Sequence, residues 1–127
     1  MVMNMILKEN AVSLHKQEEQ VFKILGHAGR LSILDELRLG EACVCHLEAK
    51  LGYRQAYISQ QISVLREAGL IQDRRDGWNV FYRVTDDRIF AVLDAVRQMT
   101  GQVEARVHKS RKPCTCPKCV HSGEYEK

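Results

Sequence analysis

A chain of 127 residues, 45% hydrophobic and 28% charged, can close one modest core but lacks the material for two. Its 19 basic and 16 acidic residues leave a formal charge of +3, too small an excess to name a polyanionic partner, so the distribution of charge must be read instead. No apolar run approaches the roughly 18 residues of a membrane helix, and the opening MVMNMILKEN lacks a basic leader followed by an apolar stretch, which together predict a cytoplasmic protein with no membrane partner.

In chain order, Leu14, Val21, Ile24 and Leu25 fall among Lys, Gln and Glu, predicting a weakly amphipathic helix from about Ser13 to Leu25. Gly26 and Gly29 bracket a break. Leu31, Leu34 and Leu37, with Ile33 beside them, predict a second helix that Gly40 closes. Val44, Leu47 and Leu51 mark a short third helix ending at Gly52. In RQAYISQQISVLREAG, Ile58, Ile62 and Leu65 form one apolar stripe and Gly69 ends the helix. The other face (Arg54, Gln55, Tyr57, Ser59, Gln60, Gln61, Ser63 and Arg66) is long, polar and free of acid until Glu67.

The period then changes to two. LIQDRR and WNVFYRV flank Asp76-Gly77, a dipeptide suited to a tight hairpin. Trp78, Val80, Tyr82 and Val84 alternate with Asn79, Phe81, Arg83 and Thr85, which predicts one buried face with Trp78 and Tyr82 as packing residues. Thr85 or Asp86 can cap a final helix carrying Ile89, Val92, Leu93, Val96, Met99 and Val103. If it runs to about His108 it is about 33 Å long at 1.5 Å per residue. A small domain has difficulty covering such a helix, so its stripe is a candidate dimer surface. HKSRKPCTCPKCVHSGEYEK is polar and holds both prolines and three of the five cysteines. The division expected is a folded domain over 1–107 and a flexible Cys-rich tail over 108–127.

A short helix, a glycine turn, a longer helix with an amide- and hydroxyl-rich face, then a two-stranded hairpin is the order of a winged helix–turn–helix, mainly α with a β-hairpin wing. The second helix of such a pair fits the major groove of double-stranded DNA, where Gln suits adenine and Arg suits guanine by bidentate geometry. Arg54, Gln55, Tyr57, Ser59, Gln60 and Ser63 are the candidate groove contacts. Arg66, with Arg74, Arg75 and Asn79 of the wing, are candidates for the backbone or a minor groove. A solvated face usually mixes Glu with Lys, and this one carries neither until Glu67.

VFKILGHAGRLSILDEL, EACVCHLEAKLG, ISQQISVLREAGLI and DRRDGWNVFYRV together resemble the ArsR/SmtB family of bacterial metalloregulatory repressors, from roughly Val21 to Val84 without a gap. The resemblance implies a homodimeric repressor with first and last helices at the dimer interface, bound to a palindromic operator and released by an inducer.

Clustered cysteines in a reducing compartment more often bind metal or do redox work than staple a fold, and five is an odd count. ACVCHL is similar to the Cys-Val-Cys box of the arsenic-sensing and cadmium/lead-sensing branches, which implies thiolate ligands at Cys43 and Cys45. His46 stands where that box is usually acidic. The third local cysteine of the arsenic branch is replaced by Glu48, and no cysteine precedes Cys43. Cys114, Cys116 and Cys119 remain to complete a site, within the same or the partner chain. Sulfur donors select Cd(II), Pb(II), Zn(II) or As(III), and the incomplete local trio favours Cd(II) or Pb(II). No organic cofactor is expected.

Residues two apart do not share a helix face, so Cys43 has to lie at or before the helix cap, or the first turn has to unwind. The tail could also hold a structural zinc by itself with Cys114, Cys116, Cys119 and His121. His15, His27 and His108 read as surface or structural residues. Cys116-Pro-Lys-Cys119 has the spacing of a disulfide oxidoreductase but no βαβ context, and no phosphate loop or acid/base pair appears, so an enzyme is not expected. The rival reading is a thiol redox or sulfur-sensing repressor of the same fold.

Overall fold

The computed structural model describes residues 11–101, and the tail cysteines and His108 lie outside them. Five helices and one hairpin follow in order: α1 (Ala11–Leu25), α2 (Ala28–Leu37), α3 (Val44–Leu51), α4 (Gln55–Glu67), β1 (Ile71–Asp76), β2 (Asn79–Val84) and α5 (Arg88–Thr100). This is the winged helix–turn–helix expected.

The core forms where the apolar stripes converge. Ile33, Leu34, Leu47, Ile58 and Leu65, from α2, α3 and α4, are fully buried, with Ile71 of β1 and Ile89 and Leu93 of α5 closing its sides. Gly52, at φ 79°, accepts the left-handed turn that lets α3 and α4 pack as a pair. Polar contacts fix the angle of α4 on α2. Arg30 Nε donates to Gln61 Oε1 at 2.8 Å and its Nη1 to the Ile24 carbonyl at 3.1 Å. Gln61 is buried, not part of an outer face.

Three local expectations are corrected. Gly29 lies inside α2 and does not break it: Tyr57 packs so close that its hydroxyl and ring occupy the space a Cβ would need. The hairpin loop is Gly77-Trp78, one residue later than expected, because Asp76 pairs with Asn79 in the ladder. Gly77 takes φ 64° at the first loop position and no described non-glycine residue has positive φ, the sign pattern of a type II′ turn. Trp78 therefore leaves the strand and is 101% exposed, while Phe81 is the most buried residue of β2. Lastly, α5 ends at Thr100 with Gly101 at φ 80°, about 20 Å long and short of His108. At its start the N-cap residue is Asp87, one later than read and with no side-chain cap bond, while Asp86 Oδ1 accepts from the Arg88 amide at 3.0 Å and Thr85 Oγ1 donates away from the helix to the Gly69 carbonyl at 2.7 Å.

Replacing Gly29 by Ala is expected to destabilise the fold by about 1–3 kcal/mol, since the Tyr57 ring must shift in a packed setting. Combining it with Tyr57→Phe should recover part of the loss. Urea unfolding of the two single variants and the double variant measures this coupling.

Candidate nucleic-acid interface and cysteine cap

The outer face of α4 is assembled by helical spacing. Gln55, Ser59, Gln60 and Arg66 are exposed, Ser63 is half-buried beside them, and Arg54 is the exposed N-cap residue at φ −70°, ψ 151°. The first turn holds no acidic residue, so nothing offsets the positive end of the helix or the Arg54 guanidinium there. Tyr57 stands apart from this group. It packs against Gly29, with ring centroids 4.9 Å from Tyr53 and 6.2 Å from His27. It holds α4 against α2, a role with no signal in the residues because Gly29 looks like a helix breaker.

On the wing, Arg75 and Arg83 are exposed and Asn79 is half-buried. Arg74 is engaged within the fold. Its Nη2 lies 2.7 Å from Glu41 Oε1 and its Nε 3.0 Å from Oε2, with the guanidinium 5.0 Å above the Phe81 ring. The hydrogen bonds to Glu41 raise the Arg74 pKa further. With its amide oxygen turned toward Arg83, Gln72 accepts from Nε and Nη2 at 2.7 Å across the ladder.

The cysteine box meets the wing directly. Ala42 forms an antiparallel bridge with Tyr82: its N–H donates to the Tyr82 carbonyl at 3.1 Å, and its carbonyl accepts from the Tyr82 N–H at 2.8 Å. The next residue, Cys43, is extended (φ −93°, ψ 168°) and is the N-cap of α3, with Sγ accepting from the His46 amide at 3.3 Å. That resolves the difficulty posed by the spacing, because Cys43 precedes the helix and Cys45 lies in its first turn. Cys43 is 6% exposed and Cys45 is exposed, so one thiol is a structural cap and the other is open to solvent. Beneath them the His46 and Glu36 side chains approach to 3.4 Å, both buried. Sequence reasoning left His46 without a role; its only signal was a histidine on the inward side of a short helix. Among the described residues no group of three or more His, Cys, Asp or Glu is arranged to hold a metal, so Cys43 and Cys45 furnish at most part of a donor set.

Leu14, Phe22, Val92, Val96 and Met99 of α1 and α5 are exposed, and Phe22, Val92 and Val96 line a groove together with Leu25, Leu31 and Leu93. Charge pairs anchor α5 to α2. Arg38 binds Asp94 with both terminal nitrogens at 2.9 and 3.2 Å, and Arg97 Nη2 lies 2.8 Å from Asp35 Oδ1. The Arg38 hydrogen bond holds the Asp94 carboxyl below the usual carboxylate range. Among the described residues no helix is long and apolar enough to cross a membrane.

Comparison with known proteins bears on this geometry. The sequence profile described as "Bacterial regulatory protein, arsR family" matches residues 27–73, from the start of α2 into β1. The chain is 42% identical over 76 residues to the biofilm growth-associated repressor of Agrobacterium fabrum, covering 60% of this chain and 65% of that protein. It is 46% identical over 67 residues to the arsenical resistance operon repressor of Escherichia coli, covering 52% and 57%. The chain thus spans 65% and 57% of the length of these two relatives. The crystal structure of the transcriptional repressor BigR from Xylella fastidiosa superposes with a TM-score of 0.63 at 33% identity, covering 67% of this chain and 87% of that one. These relatives are DNA-binding regulators and not enzymes. A helix pair and wing of this form, matched across nearly nine tenths of a solved repressor, make the chain a member of the arsR family of bacterial regulatory proteins.

Proposed function

We propose that the chain is a homodimeric transcriptional repressor that reads a palindromic operator with α4 and is released when a thiophilic metal or metalloid binds at Cys43 and Cys45. The observation that carries the proposal is the position of Cys43, the cap of α3 and the neighbour of the Ala42–Tyr82 bridge. A ligand that draws both sulfurs together has to pull Cys43 off the His46 amide, because the two thiols start in different surroundings. The displaced cap loosens α3 under α4, and the displaced backbone pulls on β2. Both halves of the DNA surface are then disturbed by one bond.

Cd(II), Pb(II), Zn(II) and As(III) all suit sulfur donors, and the likeness to an arsenical resistance repressor supports this chemistry. Cys114, Cys116 and Cys119 are the proposed completing donors, from the same or the partner chain. Arg54, Gln55, Ser59, Gln60 and Ser63 are the proposed groove contacts, with Arg66, Arg75 and Asn79 on the backbone. Tyr57 is reassigned to positioning the helix, and Arg74 reaches phosphate only by exchanging Glu41. The apolar faces of α1 and α5 support the dimer. A second reading, a thiol redox or sulfur sensor, is favoured by one feature, the solvent-open Cys45 beside a buried cysteine.

Gln60→Ala should weaken operator binding by about 1–3 kcal/mol, the worth of one bidentate base contact, while binding to random duplex changes little. Anisotropy titrations on both duplexes measure the difference, and equal losses would move Gln60 to the phosphates. Cys43→Ser keeps a hydroxyl able to cap α3, so operator binding should survive while metal-induced release is lost. Normal release in a reporter assay would remove Cys43 from the site. Anaerobic Cd(II) titration of the reduced protein should give an intense thiolate-to-metal absorption band at one metal per protomer, diminished by truncation after residue 107. No band at all would leave the redox reading in its place.

A further inference from the structure

We infer that Trp78 is an apolar wedge, seated in the DNA minor groove beside the half-site read by α4. The inference rests on the DNA-binding reading above and extends it to a residue that the sequence had assigned to packing. Trp78 is the only tryptophan of the chain and is 101% exposed, more than any other large apolar side chain described. The turn does not require it. Gly77 supplies the positive φ of the type II′ loop, and its neighbour needs only an ordinary conformation, which small polar residues satisfy without exposing an indole.

The surroundings indicate what kind of partner fits. Arg75, Asp76 and Asn79 ring the tip, and no other apolar side chain on the outer part of the hairpin is exposed. A protein docking site needs a contiguous apolar patch of some hundreds of Å², which a single indole does not provide. A step between base pairs needs only one apolar plane, which opens the step and bends the duplex. Ion pairing cannot supply the wing's contact by itself. Arg74 is tied to Glu41, and β1 carries Asp73 and Asp76 beside Arg75, so its formal charge near the tip is small. Topology puts the tip within reach, because β1 follows α4 after only three residues, the middle one Gly69 at φ 82°. With α4 in a major groove, the hairpin extends toward the adjoining minor groove.

The test uses the full chain and a duplex that the wild-type protein selects from a random library. Since Trp78 is the only tryptophan, the whole indole emission reports on the wing tip. Bound operator should quench that emission and shield it from iodide, and dyes at the two DNA ends should approach each other as the duplex bends. Trp78→Ala should lose roughly tenfold in operator affinity, the size of one base–aromatic stack, together with the bend. Trp78→Phe should keep most of both. Gln60→Ala should lose affinity but still bend the DNA that it binds. Unchanged emission, or full affinity in Trp78→Ala while Gln60→Ala fails, overturns the wedge and leaves the DNA-binding reading intact. Quenching without a bend also overturns it, placing the indole on the groove rim. Failure of the wild-type chain to enrich any sequence overturns the DNA-binding reading, and the wedge with it.

Discussion

Two backbone hydrogen bonds between Ala42 and Tyr82 connect parts of the molecule that are remote in sequence. Without them the wing would be a two-stranded hairpin, marginal by itself in water. With them, the segment entering α3 becomes a short third edge, and Glu41 and Cys43 are fixed on either side of it. Glu41 is thereby placed to hold Arg74, and Cys43 to cap α3. The cysteine box is therefore part of the scaffold that orients the wing. Any chemistry that moves Cys43 acts on the sheet and the helix pair together.

The outer charge network extends this rigidity to the other side. Arg38, just past the end of α2, binds Asp94 and lies 4.9 Å over the Phe90 ring, while Arg97 returns from α5 to Asp35. These partly exposed pairs contribute little stability one by one. As a cross-braced set they fix the register between α2 and α5. A helix proposed to lie at a dimer interface is in this way tied to the helix on which α4 packs through Arg30–Gln61 and Gly29–Tyr57. The spacing of two recognition helices in a dimer would then follow from side chains that touch neither the partner nor DNA.

Much of this was legible in the residues, and the reasons for the failures are physical. Apolar periodicity located α1 to α5 because each helix buries one stripe, and Gly52 and Gly69 marked ends since each takes a left-handed conformation; Gly101 does the same but was passed over, because the apolar stripe continues to Val103 in the sequence. Gly29 misled because a glycine inside a helix and one that breaks it look alike in sequence; only the Tyr57 ring tells them apart. Trp78 misled for a similar reason. Period-two alternation counts residues without knowing where the loop closes, and a shift of one residue moved the indole from strand to turn. The polar face of α4 was read correctly in its exposed members, but Gln61 and Tyr57 required knowledge of α2. The bridge at Ala42 had no local signal, since one residue paired across about forty positions leaves no pattern in sequence.

The placement of the two cysteines argues for a division of labour between them. In the proposed sensor, Cys45, open to solvent on the first turn of α3, would be where a soft ion or oxidant first arrives without disturbing the fold. Cys43 is buried and already engaged with the His46 amide, so its recruitment costs a cap and cannot be silent. A pair of equally exposed thiols would bind a ligand more readily but leave the helix start unchanged. A pair of equally buried thiols would be coupled to the fold but slow to reach. One exposed and one capping cysteine, two residues apart, combine access with coupling. The spacing that looked awkward for a regular helix is the one that allows both.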